Sequence, residues 1–153
     1  MAKKTLFRLE FEPEYRVLGV FCREKDYRFG WLLNNNLGFN FASTPDFAFI
    51  PSKSNEVYYY SVYSYRKEEL RQTFFLVNNH SHIGMPIFKK PPGLDFLLLV
   101  KADDSRFNFT GLLKNLRSIP QVTAAYMLDD VLGSTKDTFL YDFEVYVAQE
   151  MKL

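Results

Sequence analysis

The chain has a single cysteine, Cys22, among 153 residues. That excludes an internal disulfide and any zinc or iron–sulfur site built from several cysteines. An excess of charge is also missing, since 19 Lys and Arg against 18 Asp and Glu leave a net charge of +1. Non-specific nucleic-acid affinity comes mainly from neutralising phosphates, so the composition does not support a general polyanion binder. No window of about 18 uncharged apolar residues reads as a membrane span. The nearest, Phe29 to Phe49, carries only Asp46 as a charge but is interrupted by Asn34-Asn35-Asn36, Gly38 and Pro45. Lys3-Lys4 is followed by Thr5-Leu6-Phe7-Arg8-Leu9-Glu10-Phe11, whose charges break the apolar run that an export signal needs. The expectation is a cytoplasmic chain folded as one domain over residues 1–153.

What is present in quantity is aromatic: 16 Phe, 10 Tyr and 1 Trp make 18% of the chain. Their spacing predicts mixed α and β structure. Thr5, Phe7, Leu9 and Phe11 alternate with charged residues, the period of a half-buried strand. Val17–Cys22 is apolar on both faces and predicts an interior strand. With Asp26 as N-cap, Phe29, Leu32, Leu33 and Leu37 form one helical stripe that Gly38 ends. Extended pieces are expected at Phe39–Phe41 and Phe47–Ile50. Val57–Tyr65 reads as one strand, Arg66–Glu69 as a hairpin end, and Thr73–Val77 as the returning strand. Asn78–Gly93 reads as a long loop, mobile and functional, because Gly84, Pro86, Pro91 and Pro92 oppose regular structure. Leu94–Val100 is the most apolar segment and predicts a central strand buried on both faces. A helix over Asn108–Ser118 and a strand over Val122–Leu128 follow, then a turn region over Asp129–Asp137. The alternation of Phe139, Tyr141, Phe143 and Val145 predicts a closing strand.

Strand, helix, strand thus recurs over 17–50 and 94–128. The order predicts an α+β fold, a mainly antiparallel sheet with two helices packed on one face, in a ferredoxin-like sandwich extended by the 57–77 hairpin.

Two segments resemble a family of small bacterial proteins named for its motif, IPExxxVDY. Lys25-Asp26-Tyr27-Arg28-Phe29-Gly30-Trp31-Leu32-Leu33-Asn34 is similar to the family's early helix, and Leu94-Asp95-Phe96-Leu97-Leu98-Leu99-Val100 to the VDY half of the name with its strand. The naming motif is only partly matched, because Pro86 is followed by Ile87 where the family has glutamate. The resemblance implies a small cytoplasmic bacterial protein without an assigned activity, and it carries no functional residue over.

No nucleophile–base pair or metal set emerges, so no catalytic residue, metal ligand or cofactor is expected. His80 and His82 lack an identifiable third ligand. Cys22 beside Arg23 fits a small apolar strand-end residue better than a reactive thiol. Asp103-Asp104 and Asp129-Asp130 fit helix capping and a turn rather than magnesium. Gly133-Ser134-Thr135-Lys136 has the letters of a phosphate loop in the wrong order and is read as a turn before a strand. The candidate partner contacts are Tyr58, Tyr60, Tyr63 and Tyr65 on the tyrosine strand, with Lys89 and Lys90 in the long loop. Surface tyrosines anchor protein partners, and an aromatic edge strand favours self-association by strand addition. The leading expectation is a non-enzymatic interaction or regulatory module that binds a protein or a second copy of itself. The alternative is an RNA-associated protein stacking single-stranded bases on those aromatics, helped by Lys3, Lys4 and Arg8 near the start and by Lys89 and Lys90 in the long loop. An enzyme with an unrecognised pocket comes third. No membrane or small-molecule partner is identified.

Overall fold

A computed structural model describes residues 15–102 and 106–151. The expected strand at Thr5–Phe11, the basic residues Lys3, Lys4 and Arg8, and the Asp103-Asp104 pair lie outside them.

The elements run β1 (Tyr15–Cys22), α1 (Asp26–Leu37), β2 (Ala42–Ser43), β3 (Phe47–Phe49), β4 (Tyr58–Tyr60) and β5 (Val62–Lys67). After a 3-10 turn over Glu68–Leu70 come β6 (Gln72–Asn78), β7 (Phe96–Lys101), α2 (Phe109–Arg117), β8 (Val122–Met127) and α3 (Ser134–Tyr146). Six strands form one antiparallel sheet in the order β2-β5-β6-β7-β1-β8, and β3 and β4 form a separate ribbon. The elements β1-α1-β6-β7-α2-β8, with spatial strand order β8-β1-β7-β6, reproduce the ferredoxin-like sandwich. The β5–β6 hairpin extends it, as expected.

Local chemistry accounts for the helices. The N-cap of α1 is Lys25 and not the expected Asp26, which sits one position later in the first turn and accepts the Tyr27 amide at 2.7 Å, while Gly38 adopts φ 71° and closes the C-terminus. Asn108 caps α2 by accepting the Gly111 amide at 2.9 Å. On this side of the sheet, Phe29, Leu32 and Leu33 of α1 and Leu112 and Leu116 of α2 pack with Leu18, Val20, Phe74, Leu98 and Val100.

β7 lies between β6 and β1, and Phe96 to Val100 are all buried. Leu97 and Leu99 face the second core while Leu98 faces the helices, the alternation of a strand covered on both sides. Beside it, Gly19 of β1 leaves room for its neighbours: a Cβ there would stand 2.5 Å from Leu128 Cδ1 and 2.9 Å from Leu94 Cδ1.

Three further expectations are corrected. The strand return of the first unit is β6, because residues 39–50 supply only the two-residue β2 and the ribbon strand β3. The single strand expected over Val57–Tyr65 is two, since the chain passes at Ser61 from the ribbon into the main sheet. The closing strand expected over Phe139–Val145 is helical. In α3, Phe139, Leu140, Phe143 and Tyr146 are buried at i, i+1, i+4 and i+7, while Tyr141 and Val145 face solvent. Gly133-Ser134-Thr135-Lys136 therefore opens a helix, with Gly133 at φ 65° just before it.

α3 and the β3–β4 ribbon cover the sheet face opposite α1 and α2. Their aromatics interlock edge to face: Phe143 meets Phe75 at 5.0 Å and 78°, and Phe47 at 5.3 Å and 75°. The Tyr146 hydroxyl donates to the Pro45 carbonyl and lies 3.0 Å from Thr44 Oγ1, which fastens the end of α3 to the entry of β3.

Candidate functional site

The tyrosine strand keeps its expected alternation, but both of its faces are covered. Tyr58, Tyr60 and Val62 turn toward the α3 side, and Tyr63 and Tyr65 toward the α1 side. Tyr60 is fully buried, which takes it out of reach of a partner, and its hydroxyl has no hydrogen-bond partner among the described residues. Tyr58 is half-buried and donates to Glu56 Oε2 at 3.3 Å. Tyr65 packs among Phe39, Phe74 and Phe41 with ring centroids 5.5, 5.7 and 6.0 Å away. The exposed tyrosine is Tyr59, at 54%, which points away from both cores. Strand edges are occupied here as well: β2 pairs with β5 at Tyr63 and Ser64, and the His82 amide donates to the Tyr59 carbonyl at 3.2 Å.

Lys89 and Lys90 are exposed, and the 78–93 loop that carries them is held by hydrogen bonds at each end. Asn79 is fully buried at its base. Its Nδ2 donates to the carbonyls of Phe88 at 2.9 Å and Leu94 at 3.0 Å, and its Oδ1 accepts the Phe88 amide at 2.9 Å. Backbone bonds from Asn79 to Asp95 at 2.9 Å and from Ile87 to Asn79 at 2.7 Å complete the closure. At the tip, Ser81 Oγ accepts the amides of Ile83 and Met85 at 3.2 and 3.0 Å, and Gly84 turns at φ 91°. His82 Nε2 lies 2.8 Å from Asp46 Oδ2, tying the tip to the approach of β3. Ile83 is left 81% exposed.

This framework sinks Ile87 and Phe88 into the core and brings Lys89 and Lys90 to a groove. The opposite wall is the turn at Pro51-Ser52-Lys53 and the start of α3, with Val131, Leu132 and Thr135. The groove holds about 340 Å³ and runs beside a smaller recess of about 130 Å³ that shares Ser52, Ile87, Phe88 and Thr135. Its floor is apolar and three lysines, Lys53, Lys89 and Lys90, stand around it. Val131 is exposed at its margin, and Ile50 at that of the smaller recess. Lys53 was not singled out in the sequence; its signal was the turn cluster at 51–55, where it adopts φ 65°.

The remaining chemical candidates resolve into structural roles. Asp129 accepts the Val17 amide at 3.3 Å and Arg16 Nε at 3.2 Å, with Lys136 Nζ at 3.9 Å, so it links β1 to the connection before α3. Cys22 is buried, and that burial pushes its thiol up, away from the reactive thiolate. Its amide donates to Asp95 Oδ2 at 2.8 Å. Among the described residues, no group of three or more His, Cys, Asp or Glu is placed to hold a metal ion. No helix among them is long and apolar enough to cross a membrane.

No protein-family model, curated protein or solved structure gives a significant match to this chain.

Proposed function

We propose that the protein is a non-enzymatic interaction module that takes an acidic, partly apolar segment of a partner protein in the lysine-rimmed groove. The observation that carries this reading is the groove itself: an apolar floor of Ile87, Phe88 and Leu132 beneath Lys53, Lys89 and Lys90. Such a floor buries leucine- or phenylalanine-like side chains, while the lysines attract and align carboxylates beside them. A loop pinned by Asn79 presents this surface with little ordering cost on binding.

The protein reading is favoured over RNA by what covers the sheet. Single-stranded bases stack on an open aromatic sheet face. Here both faces of the main sheet lie under helices or the ribbon. The resemblance to the IPExxxVDY family adds no catalytic residue to this picture.

The test is selection of a displayed random-peptide library on the immobilised protein. Enrichment of peptides combining Asp or Glu with Leu or Phe is expected, with binding abolished in the Lys89→Glu/Lys90→Glu variant. A library that yields no enrichment, or binders indifferent to that charge reversal, defeats the proposal.

A further inference from the structure

The recess beside the lysine groove is small, and its walls are fixed. It holds about 130 Å³ and lies between the end of β3, the Ile87-Phe88 step of the long loop and the Thr135–Thr138 turn of α3. Phe49 meets Phe139 edge to face at 5.7 Å and 89° and stacks on Phe47 at 5.4 Å. Phe88 meets the same Phe139 ring at 5.3 Å and 71°. Asn79 accepts both amides that place the loop wall, Ile87 through its carbonyl at 2.7 Å and Phe88 through Oδ1 at 2.9 Å. Interlocked rings and buried hydrogen bonds resist widening, so the recess selects by size.

Its lining suits an apolar group. Phe49, Ile87 and Phe88 are buried, and Thr135 turns its hydroxyl back onto the Leu132 carbonyl at 2.7 Å. No buried polar atom without a partner, among the described residues, belongs to this lining. Ile50 is 49% exposed beside it, an apolar surface that an occupant would cover. An apolar cavity of about 150 Å³ binds benzene, so a recess of about 130 Å³ has little room for a phenylalanine ring with its methylene. The four carbons of a leucine side chain fit.

The lysine groove begins within one helical turn, since Thr135 lines both spaces while Val131 and Leu132 line the groove and Thr138 the recess. Three helical residues advance about 4.5 Å and one extended residue about 3.3 Å. A chain with a side chain in the recess therefore brings the residue one or two positions away to the lysines. Binding energy at interfaces concentrates in a few side chains seated in such pockets. We propose that the recess is the anchor pocket of the groove: the partner segment seats one leucine, isoleucine or methionine there, next to its acidic residues, and an aromatic anchor is refused. This rests on the acidic-segment reading of the groove and narrows it to an aliphatic anchor adjoining Asp or Glu.

Calorimetric titration of the whole chain with N-acetylated, C-amidated Asp-Glu-Xaa-Glu-Asp tests this, the acids on both sides serving either chain direction. The peptide with leucine at Xaa is expected to bind, and those with alanine or phenylalanine to bind about tenfold or more weakly. Thr138→Trp should fill the recess and bring the leucine peptide down to the level of the alanine peptide. Ile87→Ala should enlarge it and raise the phenylalanine peptide to the level of the leucine peptide or above. Lys89→Glu/Lys90→Glu should weaken all three peptides by a common factor, so that variant reports on the groove and the Xaa series on the recess. Equal binding of the three peptides with the charge reversal still effective overturns the anchor pocket and leaves the groove. Phenylalanine preferred over leucine also overturns it. No binding of any peptide at millimolar concentration overturns both. The Xaa series on the unmodified protein gives the answer even if Ile87→Ala fails to fold.

Discussion

Asn79 and Phe88 bond to each other twice: Asn79 Nδ2 donates to the Phe88 carbonyl, and the Phe88 amide donates to Asn79 Oδ1, both at 2.9 Å. With the third bond to the Leu94 carbonyl at 3.0 Å, one buried side chain acts in place of the missing partner strand for a loop of irregular backbone. Truncation to alanine leaves one amide and two carbonyls buried without partners. Asn79→Ala is expected to cost about 2–4 kcal/mol in urea unfolding. Hydrogen exchange of the Phe88 amide should accelerate more than that of the β7 amides. Uniform acceleration across the sheet would mean that Asn79 supports the fold as a whole and not the loop.

Asp95 lies at the exit of that loop and takes the Cys22 amide at 2.8 Å. Burial raises its carboxyl above the usual aspartate range, against the lowering influence of the Cys22 amide, His80 and Arg23. With a raised folded value, the unfolded chain releases this proton first as pH increases. Stability from Asp95 is therefore complete below the ordinary aspartate value and is lost as pH rises through the folded one. Asp95→Asn keeps an oxygen for Cys22 and cannot ionise. The variant should equal or exceed the parent in stability at pH 7, and the gap should close on acidification to about pH 3. A gap that widens in acid contradicts the assignment.

The α3 segment offers a direct contrast between two side chains. Phe143 is fully buried among Tyr15, Phe47, Phe75, Phe139 and Tyr146, and Tyr141 is 54% exposed. Phe143→Ala is expected to destabilise by about 3–5 kcal/mol and Tyr141→Ala by no more than about 0.5 kcal/mol. In a strand the two residues would share a face and their substitutions would have comparable effects. Thermal or urea unfolding of the two variants decides the matter.

That contrast also explains what could be read from the chain. β1, α1, β7 and α2 each carry a pattern with one solution: a short two-sided apolar run, or a stripe closed by Asn108 or Gly38. In 134–146 two periods coincide. Phe139 and Phe143 satisfy both alternation and i, i+4 spacing, and aromatic strand propensity favoured the wrong one until the core selected Leu140 and Tyr146 over Tyr141 and Val145. The tyrosine strand posed a different problem. Its parity was legible, but exposure depended on whether one or two layers cover the sheet, and that is decided by α3 and the ribbon far along the chain. For the groove, Lys89 and Lys90 could be found in the loop, while Lys53 and Val131 join them only through tertiary contact.

Tyr60 carries the last prediction. Its hydroxyl is buried without a partner among the described residues, and desolvation by burial, with the nearby Tyr58, pushes its pKa up to about 12. An unsatisfied buried hydroxyl opposes folding, so Tyr60→Phe should be neutral or stabilising by up to about 1 kcal/mol at pH 7. The alkaline limb gives a second readout. Because the folded value is raised, stability from this group is intact below the ordinary tyrosine value of 10.0 and is lost as pH climbs toward 12. The phenylalanine variant should therefore lose less stability than the parent between those limits. A destabilised variant with an unchanged alkaline slope would show that the hydroxyl is hydrogen-bonded in the folded protein.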